Sequence, residues 1–347
     1  MHKSGHNMAI HRIAVFRALN LGDMLCATPA FRALRQAFPR ADIALIGLPW
    51  ARAFQRRYRA YLDRFFSFPG YPGLPEATGT IAQREDFFEQ MRGEGFDLAL
   101  QLHGSGPASN EVLGRLGART ALGLGAGVQR PGLRLWPYPE DRHEVHRTLY
   151  LLQEGLGIAA HDDRLEFPLH PEDWNELRRH PELDACRKAP YACQQAGARN
   201  PAKRWPAGHF AAVGDALAER GLRIVLTGSE AERGLARDVM ARMRHRAVNA
   251  ACDISIGGLA ALLSGARLLV TNDTGVAHLS SALQVPSIVI FFATDPARWG
   301  PPDDGRHIVV RADTQPEPLE VIRAAATLMA MSESGGWRKD TTHRHMT

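Results

Sequence analysis

The stretch VTNDTGVAHLSSALQVPSIVIFF (270–292) reads as a buried strand, a polar hairpin into a helix, and a second buried strand. Asn272, Asp273, Thr274 and Gly275 crowd the junction where a helix presents unpaired N–H groups and the positive end of its dipole. A phosphate would sit there. His278 follows Thr274 by one helical turn and so shares its face. Helix capping alone would account for Asp273 or Thr274, but not for both together with Gly275 and His278.

Outward from this stretch, short apolar runs recur at 12–16, 42–47, 97–102, 222–228, 268–271, 287–292 and 307–310, most of them followed by a helical pattern. Alternating strand and helix predicts an α/β protein with parallel sheets. Phe31, Leu34 and Phe38 share a helical face after Thr28-Pro29, and Phe210, Val213 and Leu217 repeat the spacing after Trp205-Pro206. The strands fall into two groups. The spacing predicts a first domain over 1–165, a Pro- and charge-rich connector with one short helix over 166–190, and a second domain over 191–331, with a cleft between the domains. A helical pattern at 316–331, carried by Leu319, Ile322, Ala326 and Met329, could close the second domain or pack back on the first, and 332–347 reads as a polar tail.

The chain has 347 residues, 45% hydrophobic and 23% charged, which places it among ordinary globular proteins rather than disordered or fibrous ones. No apolar run is long enough to cross a bilayer, and the first residues carry no apolar signal core, so a cytosolic protein is expected. Cys26, Cys186, Cys193 and Cys252 form no C-x-x-C pair and read as reduced thiols. The net charge of +5 and pI near 9.2 are mild and fit an anionic substrate or membrane surface as well as a basic composition with no purpose; no nucleic-acid partner is expected.

The familiar nucleotide fingerprints fail. GLGAGV (123–128) has Val128 where a dinucleotide motif needs its third glycine, and no strand is expected to feed it; HEVH (143–146) is one residue too short for a zinc motif. Other places fit better. In the loop 18–29, Asp23 is expected at the carboxyl end of the first strand, where open α/β sheets place ligands, and it could deprotonate a hydroxyl. On spacing alone, capping of the next helix is the simpler role. Lys203, on the loop 194–210, could meet a diphosphate, or Lys203-Arg204 could be a solvated basic pair, with Trp205 and Phe210 in the core. Ser229 or Glu230, after the strand at 222–228, could meet a ribose hydroxyl or cap a helix. The segment 51–66 places Phe54, Tyr58, Tyr61 and Phe65 on one helical face with Arg52, Arg56 and Arg59 around it. That face could hold acceptor phosphates, touch an anionic membrane, or be merely solvated.

Taken in order, the segments 21–39, 97–106, 142–158, 203–213, 226–232, 272–291 and 294–301 resemble glycosyltransferase family 9, the ADP-heptose:lipopolysaccharide heptosyltransferases and their relatives. The resemblance implies a GT-B architecture of two Rossmann-like domains with parallel sheets facing a central cleft. It implies an N-terminal domain for a glycolipid or saccharide acceptor and a C-terminal one for the nucleotide-sugar donor. It assigns the catalytic base to Asp23, the diphosphate contact to Lys203, and the hold on phosphate and donor sugar to Asp273, Thr274 and Gly275. Arg204, Ser229, Glu230, Asn272 and His278 join these as candidate donor contacts, and Gly22, His103, Ser105, Arg52 and Arg56 are the candidates for the acceptor side. No cofactor and no metal are implied, ADP-heptose being a co-substrate, and the chain would work in the cytoplasm at the inner face of the inner membrane.

On this view Asp23 takes the proton of an acceptor hydroxyl as its oxygen displaces the diphosphate from the anomeric carbon, with inversion. Lys203 and the N–H groups at Thr274–Gly275 stabilise the leaving group. The alternatives are transfer of another nucleotide-activated sugar to a capsule, glycolipid or secondary-metabolite acceptor, a nucleotide-sugar epimerase or hydrolase, and a non-catalytic sugar-nucleotide-binding module.

Overall fold

The computed structural model describes residues 10–159, 161–302, 304–311 and 315–333. The chain divides into two compact units at Arg164/Leu165. The leader before Ile10 and nearly all of the polar tail lie outside the described residues.

The first unit holds β1 (Arg12–Phe16), β2 (Asp42–Gly47), β3 (Arg64–Ser67), β4 (Gly70–Tyr71), β5 (Leu74–Thr78), β6 (Leu98–Gln101), β7 (Thr120–Leu124) and β8 (Leu133–Trp136). Six of these form one sheet in the order β3-β2-β1-β6-β7-β8, every neighbouring pair parallel, while β4 and β5 make a separate antiparallel hairpin. The second unit holds β9 (Tyr191–Gln195), β10 (Arg223–Gly228), β11 (Ala247–Ala251), β12 (Leu268–Asn272), β13 (Ser287–Phe291) and β14 (His307–Arg311). Its sheet, also parallel throughout, runs β11-β10-β9-β12-β13-β14.

Helices cover parallel strands on both faces, so the central strands are buried on both sides rather than alternating between core and solvent. β9, β12 and β13 are buried at every residue and β1 at all but the first. Phe16, Phe68, Phe88, Phe96 and Leu113 anchor the first core, and Trp205, Phe210, Leu226, Val270 and Ile290 the second. In each sheet the strand order reverses direction once, between β1 and β6 and between β9 and β12. Ligands of open α/β sheets bind beyond the carboxyl ends of the strands at such switch points.

Several expectations need correction. The helix foreseen over 51–66 stops at Arg57, because Arg64–Ser67 pair with β2 and Gln55 Nε2 donates to the Leu62 and Asp63 carbonyls across the intervening turn; Tyr61 and Phe65 therefore leave the face of Phe54 and Tyr58. The connector carries two helices, Pro171–Arg178 and Pro181–Cys186, each started by a proline. A strand does feed the GLGAGV stretch, since β7 ends at Leu124; a loop and then β8, not a helix, follow it. The last helix, Pro318–Glu333, takes in Ser332 and Glu333 and buries Val321, Ala325 and Leu328, leaving Leu319 54% exposed. Of the face foreseen, Ile322 and Met329 pack half-buried against the second core, while Leu319 turns outward.

Candidate functional site

At the β1/β6 switch point the chain leaves β1 through Arg17 and turns into the short helix Leu21–Cys26, whose N-cap is Asn20. Asp23 lies in the first turn of that helix, so it is not the cap, and it stands close to the carboxyl end of β1 as foreseen. Gly22 beside it is buried and Asp23 half-buried. Burial pushes the Asp23 carboxyl above its ordinary range, against the pull of the Arg17 guanidinium and with the push of the Glu144 carboxylate. A carboxylate with raised proton affinity is a better general base.

The facing loop after β6 is built by Gln101, fully buried, whose Oε1 accepts from the main chain of His103 at 2.8 Å and Gly104 at 3.1 Å. His103 stacks on Phe16 with ring centres 4.8 Å apart, accepts from the Ala18 N–H at 3.2 Å, and lies 3.7 Å from Glu76 of β5. Its ring is thereby part of the frame that sets the loop after β1. Ser105 is exposed on the same loop. Arg52 and Arg56 are exposed on the helix Ala51–Arg57, which follows the neighbouring strand β2, and the Arg52 guanidinium covers the Phe65 ring. A pocket of about 580 Å³ opens in this unit between Phe68, Phe87, Thr78 and Gln90. None of the foreseen site residues lines it.

At the β9/β12 switch point the loop after β9 and the turn after β12 meet. The Asn272 side chain, fully buried, accepts from the Trp205 N–H at 3.1 Å and donates to the Ala196 carbonyl at 2.9 Å, which ties the 196–205 loop to the end of β12. Trp205 and Phe210 are in the core, as foreseen. Lys203 is thereby carried to Asp273, with Nζ 2.6 Å from Oδ2, and the Thr294 hydroxyl donates to the same carboxylate oxygen. Thr274, in extended backbone, is the N-cap of the helix Gly275–Ala282 and gives it no side-chain cap bond. His278 is buried, one turn into the helix, with its ring 6.3 Å from that of Trp299.

Further along the same edge, Ser229 is engaged by Glu232, which accepts from both its N–H and its hydroxyl at 2.9 Å. Glu230 is exposed. Arg204 turns its Nε to the Ala198 carbonyl at 2.9 Å. The second switch point therefore brings together Lys203, Asn272, Asp273, Thr274, Gly275 and His278. The first brings together Gly22, Asp23 and His103.

The residues missed in the sequence are polar groups that hold this frame: Arg17, Gln101, Glu144, Arg147, Glu232 and Thr294. The readable signal for Arg17 is a charge directly behind four buried strand residues, and for Glu144 and Arg147 the HEVHR run itself. His143 caps the helix Glu144–Leu156 by accepting from the Val145 N–H at 3.2 Å, and His146 meets Asp163 at 3.0 Å. Among the described residues no cluster of three or more His, Cys, Asp or Glu stands ready for a metal ion, and no helix is long and apolar enough to cross a membrane. None of the four cysteines is in a disulfide, and burial pushes the thiols of Cys186, Cys193 and Cys252 up, away from the reactive thiolate.

Comparison with known proteins gives a consistent result. Residues 84–326 match the family model described as glycosyltransferase family 9 (heptosyltransferase). Lipopolysaccharide heptosyltransferase 1 of Pseudomonas aeruginosa is 34% identical over 170 residues, 48% of this chain and 44% of that protein. The protein of the same name from Escherichia coli K12 is 25% identical over 307 residues, 83% of this chain and 90% of that one. Among solved structures, the E. coli ADP-heptose lps heptosyltransferase II superposes with a TM-score of 0.74 at 19% identity, over 93% of this chain and 99% of the other.

Proposed function

The chain belongs to glycosyltransferase family 9, and on that premise we propose that it moves a heptose from ADP-heptose to a hydroxyl of a lipopolysaccharide-core or related saccharide acceptor, with inversion and without a metal ion. The names of the relatives support the donor and acceptor classes. The observation that carries the chemistry is that each sheet places a different kind of group at its switch point. One offers a half-buried carboxylate of raised proton affinity, the other an ammonium beside an uncapped helix N-terminus.

In this reading the first unit binds the acceptor and the second the donor. Asp23 accepts the proton of the acceptor hydroxyl. The oxygen attacks the anomeric carbon, the bond from that carbon to the diphosphate oxygen breaks, and its electron pair leaves with the nucleotide. Lys203 and the N–H groups at Thr274–Gly275 meet the charge that develops on the diphosphate, each well-aimed donor contributing on the order of 3 kcal/mol to the transition state. An ammonium has three donors, and the contact with Asp273 directs one of them and so fixes where the others point. Asn272 acts by holding the Lys203 loop, His278 and Arg204 by shaping the floor and flank of the phosphate site, and Ser229 and Glu230 by meeting the ribose. Ser105, Arg52 and Arg56 face anionic groups of the acceptor, and the exposed arginines of 51–59 give a peripheral contact with the inner face of an anionic membrane.

A thermal-shift panel of ADP-, UDP- and GDP-sugars followed by a transfer assay tests the proposal. ADP-heptose at about 100 times its dissociation constant adds about 2.7 kcal/mol to the stability of the state that binds it. Transfer that persists in EDTA is expected; a strict requirement for magnesium or manganese overturns the metal-free mechanism. Donor consumption without acceptor points to a hydrolase or epimerase instead, and binding without turnover to a non-catalytic module.

A further inference from the structure

Three charged side chains are buried side by side behind Asp23: Arg17, Glu144 and Arg147 are only 1%, 6% and 2% exposed. Arg17 donates from Nε and Nη2 to the main-chain carbonyl of Asp23 at 2.9 and 2.6 Å, and from Nη1 to the carbonyl of Leu102 at the end of β6. Its Nη2 also reaches Glu144 Oε1 at 3.2 Å, and the other oxygen of Glu144 is taken by Arg147 Nη1 at 3.3 Å. Arg147 in turn donates to the Pro139 carbonyl at 2.9 Å and covers the Tyr138 ring, its guanidinium carbon 4.9 Å from the ring centre. A void of about 10 Å³, the size of a single water, lies among Arg17, Glu144, Arg147 and Thr148.

Burying such a trio is a poor way to gain stability, since well-packed apolar side chains of the same volume generally serve as well or better. The directions of the bonds show what else it does. An arginine fork aimed at a carboxylate would hold it ionised and cover both its oxygens. Here the fork is directed at two carbonyls and at Glu144. With Asp23 ionised, two cations and two anions share the cluster, so that Asp23 completes its neutrality and takes up a proton against the remaining positive charge.

We propose that Arg17, clamped by Glu144 and Arg147, is the positioning residue for Asp23. It pins the main chain at Asp23 to the end of β6, keeps its own guanidinium off the carboxylate oxygens, which take main-chain hydrogen bonds at Asn20 and Asp23, and, balanced by the charge of Glu144, sets the proton affinity of that carboxylate. The inference deepens the reading of Asp23 as general base and rests on it. The charged groups that face Asp23 are Arg17 from the end of β1 and Glu144 from the helix Glu144–Leu156, with Arg147 behind Glu144. The adjoining helix Thr28–Ala37 directs its arginines elsewhere, Arg32 to Asp162 and Arg35 to Asp63.

The test is a carbon-13 NMR titration of the full chain labelled at aspartate carboxyls, with the Asp23 signal identified by its loss in Asp23→Asn. Glu144→Gln removes a negative charge and is expected to lower the Asp23 midpoint; Arg17→Met removes a positive one and is expected to raise it. Arg17→Lys keeps the charge but not the fork. It should leave the midpoint near that of the unaltered chain while the amides of 21–26 exchange faster with solvent. Should Glu144→Gln fail to fold, Arg17→Met reports the same coupling with the opposite sign, and Arg17→Lys the anchoring. Midpoints that stay in place in the charge-removing variants, or 21–26 amides that exchange no faster in Arg17→Lys, overturn the proposal, because a purely structural trio would alter melting temperature alone. Turnover retained by Asp23→Asn would instead overturn the reading of Asp23 as base, a separate result.

Discussion

At the scale of the residue, Asp23 in its proposed role as base would couple activity to stability. Its folded-state proton affinity is raised by burial above the unfolded value, so the stability linked to its protonated form is present in full below that ordinary value, near pH 4, and is lost as pH rises through the folded one. At pH 7 the folded chain carries the penalty of an ionised, half-buried carboxylate. Asp23→Asn removes it, so the melting temperature at pH 7 is expected to rise, with the gain fading as the pH is taken below 4, while turnover falls by roughly a hundred- to ten-thousand-fold. Calorimetry at the two pH values beside a transfer assay reads both effects, and near-normal turnover would remove Asp23 from the mechanism. Lys203→Ala is expected to weaken ADP binding by about tenfold or more, the usual cost of a lost charged hydrogen bond. Titration calorimetry that returns an unchanged dissociation constant would take Lys203 out of the donor site.

At the scale of the element, the helix Ala207–Ala218 shows how a buried acid can act as a staple. Asp215 accepts from the main-chain N–H of Arg244 at 3.0 Å and of His245 at 2.9 Å, fixing the turn that leads into β11. Burial pushes its carboxyl up, but these bonds, together with those from both side chains, outweigh it and hold the carboxyl below the ordinary range. A depressed proton affinity contributes stability above the unfolded value that is lost as pH falls through the folded one. Asp215→Ala is therefore expected to cost about 1–3 kcal/mol at pH 7 by urea denaturation, and less as the solution is acidified; a cost independent of pH would refute the staple. Elements of this kind also mark what the sequence conceals. Central strands such as β1 and β13 announce themselves as apolar runs because helices bury both their faces, whereas β9, buried just as fully, ends in Gln194 and Gln195 and shows no such run. Of the four sheet-edge strands, β3, β8 and β11 are partly exposed and RFFS, LRLW and AVNAA carry no unbroken apolar run, whereas β14 is legible through Ile308, Val309 and Val310. The arginine-rich segment 51–66 kept a helical period on paper although its last residues join the sheet, since pairing with β2 is a long-range event that local spacing does not register. For the same reason Asp23, Lys203 and Asp273 were legible as motifs, whereas Arg17 and Glu144, 127 residues apart, become partners only through the fold.

At the scale of the whole molecule, both units repeat one plan: leaving aside the hairpin of β4 and β5, each sheet runs its strands in the order third, second, first, fourth, fifth, sixth. One plan used twice yields two switch points, with a carboxylate in one and a lysine with a helix N-terminus in the other, and the proposed function gives acceptor and donor to separate units on that difference. This division predicts a footprint. With ADP alone, hydrogen–deuterium exchange should slow in 196–206 and 272–278, where the loop after β9 and the turn after β12 meet through Asn272 and Lys203. Segments 17–24 and 101–106, at the other switch point, should exchange at their ligand-free rates, because a nucleotide without an acceptor gives them no new partner. The contrast is informative since both regions follow central strands of matched burial, so a general tightening of the chain would slow the two alike. Slowing confined to 17–24 would reverse the assignment of the units, and slowing at neither would remove ADP as the nucleotide of the donor.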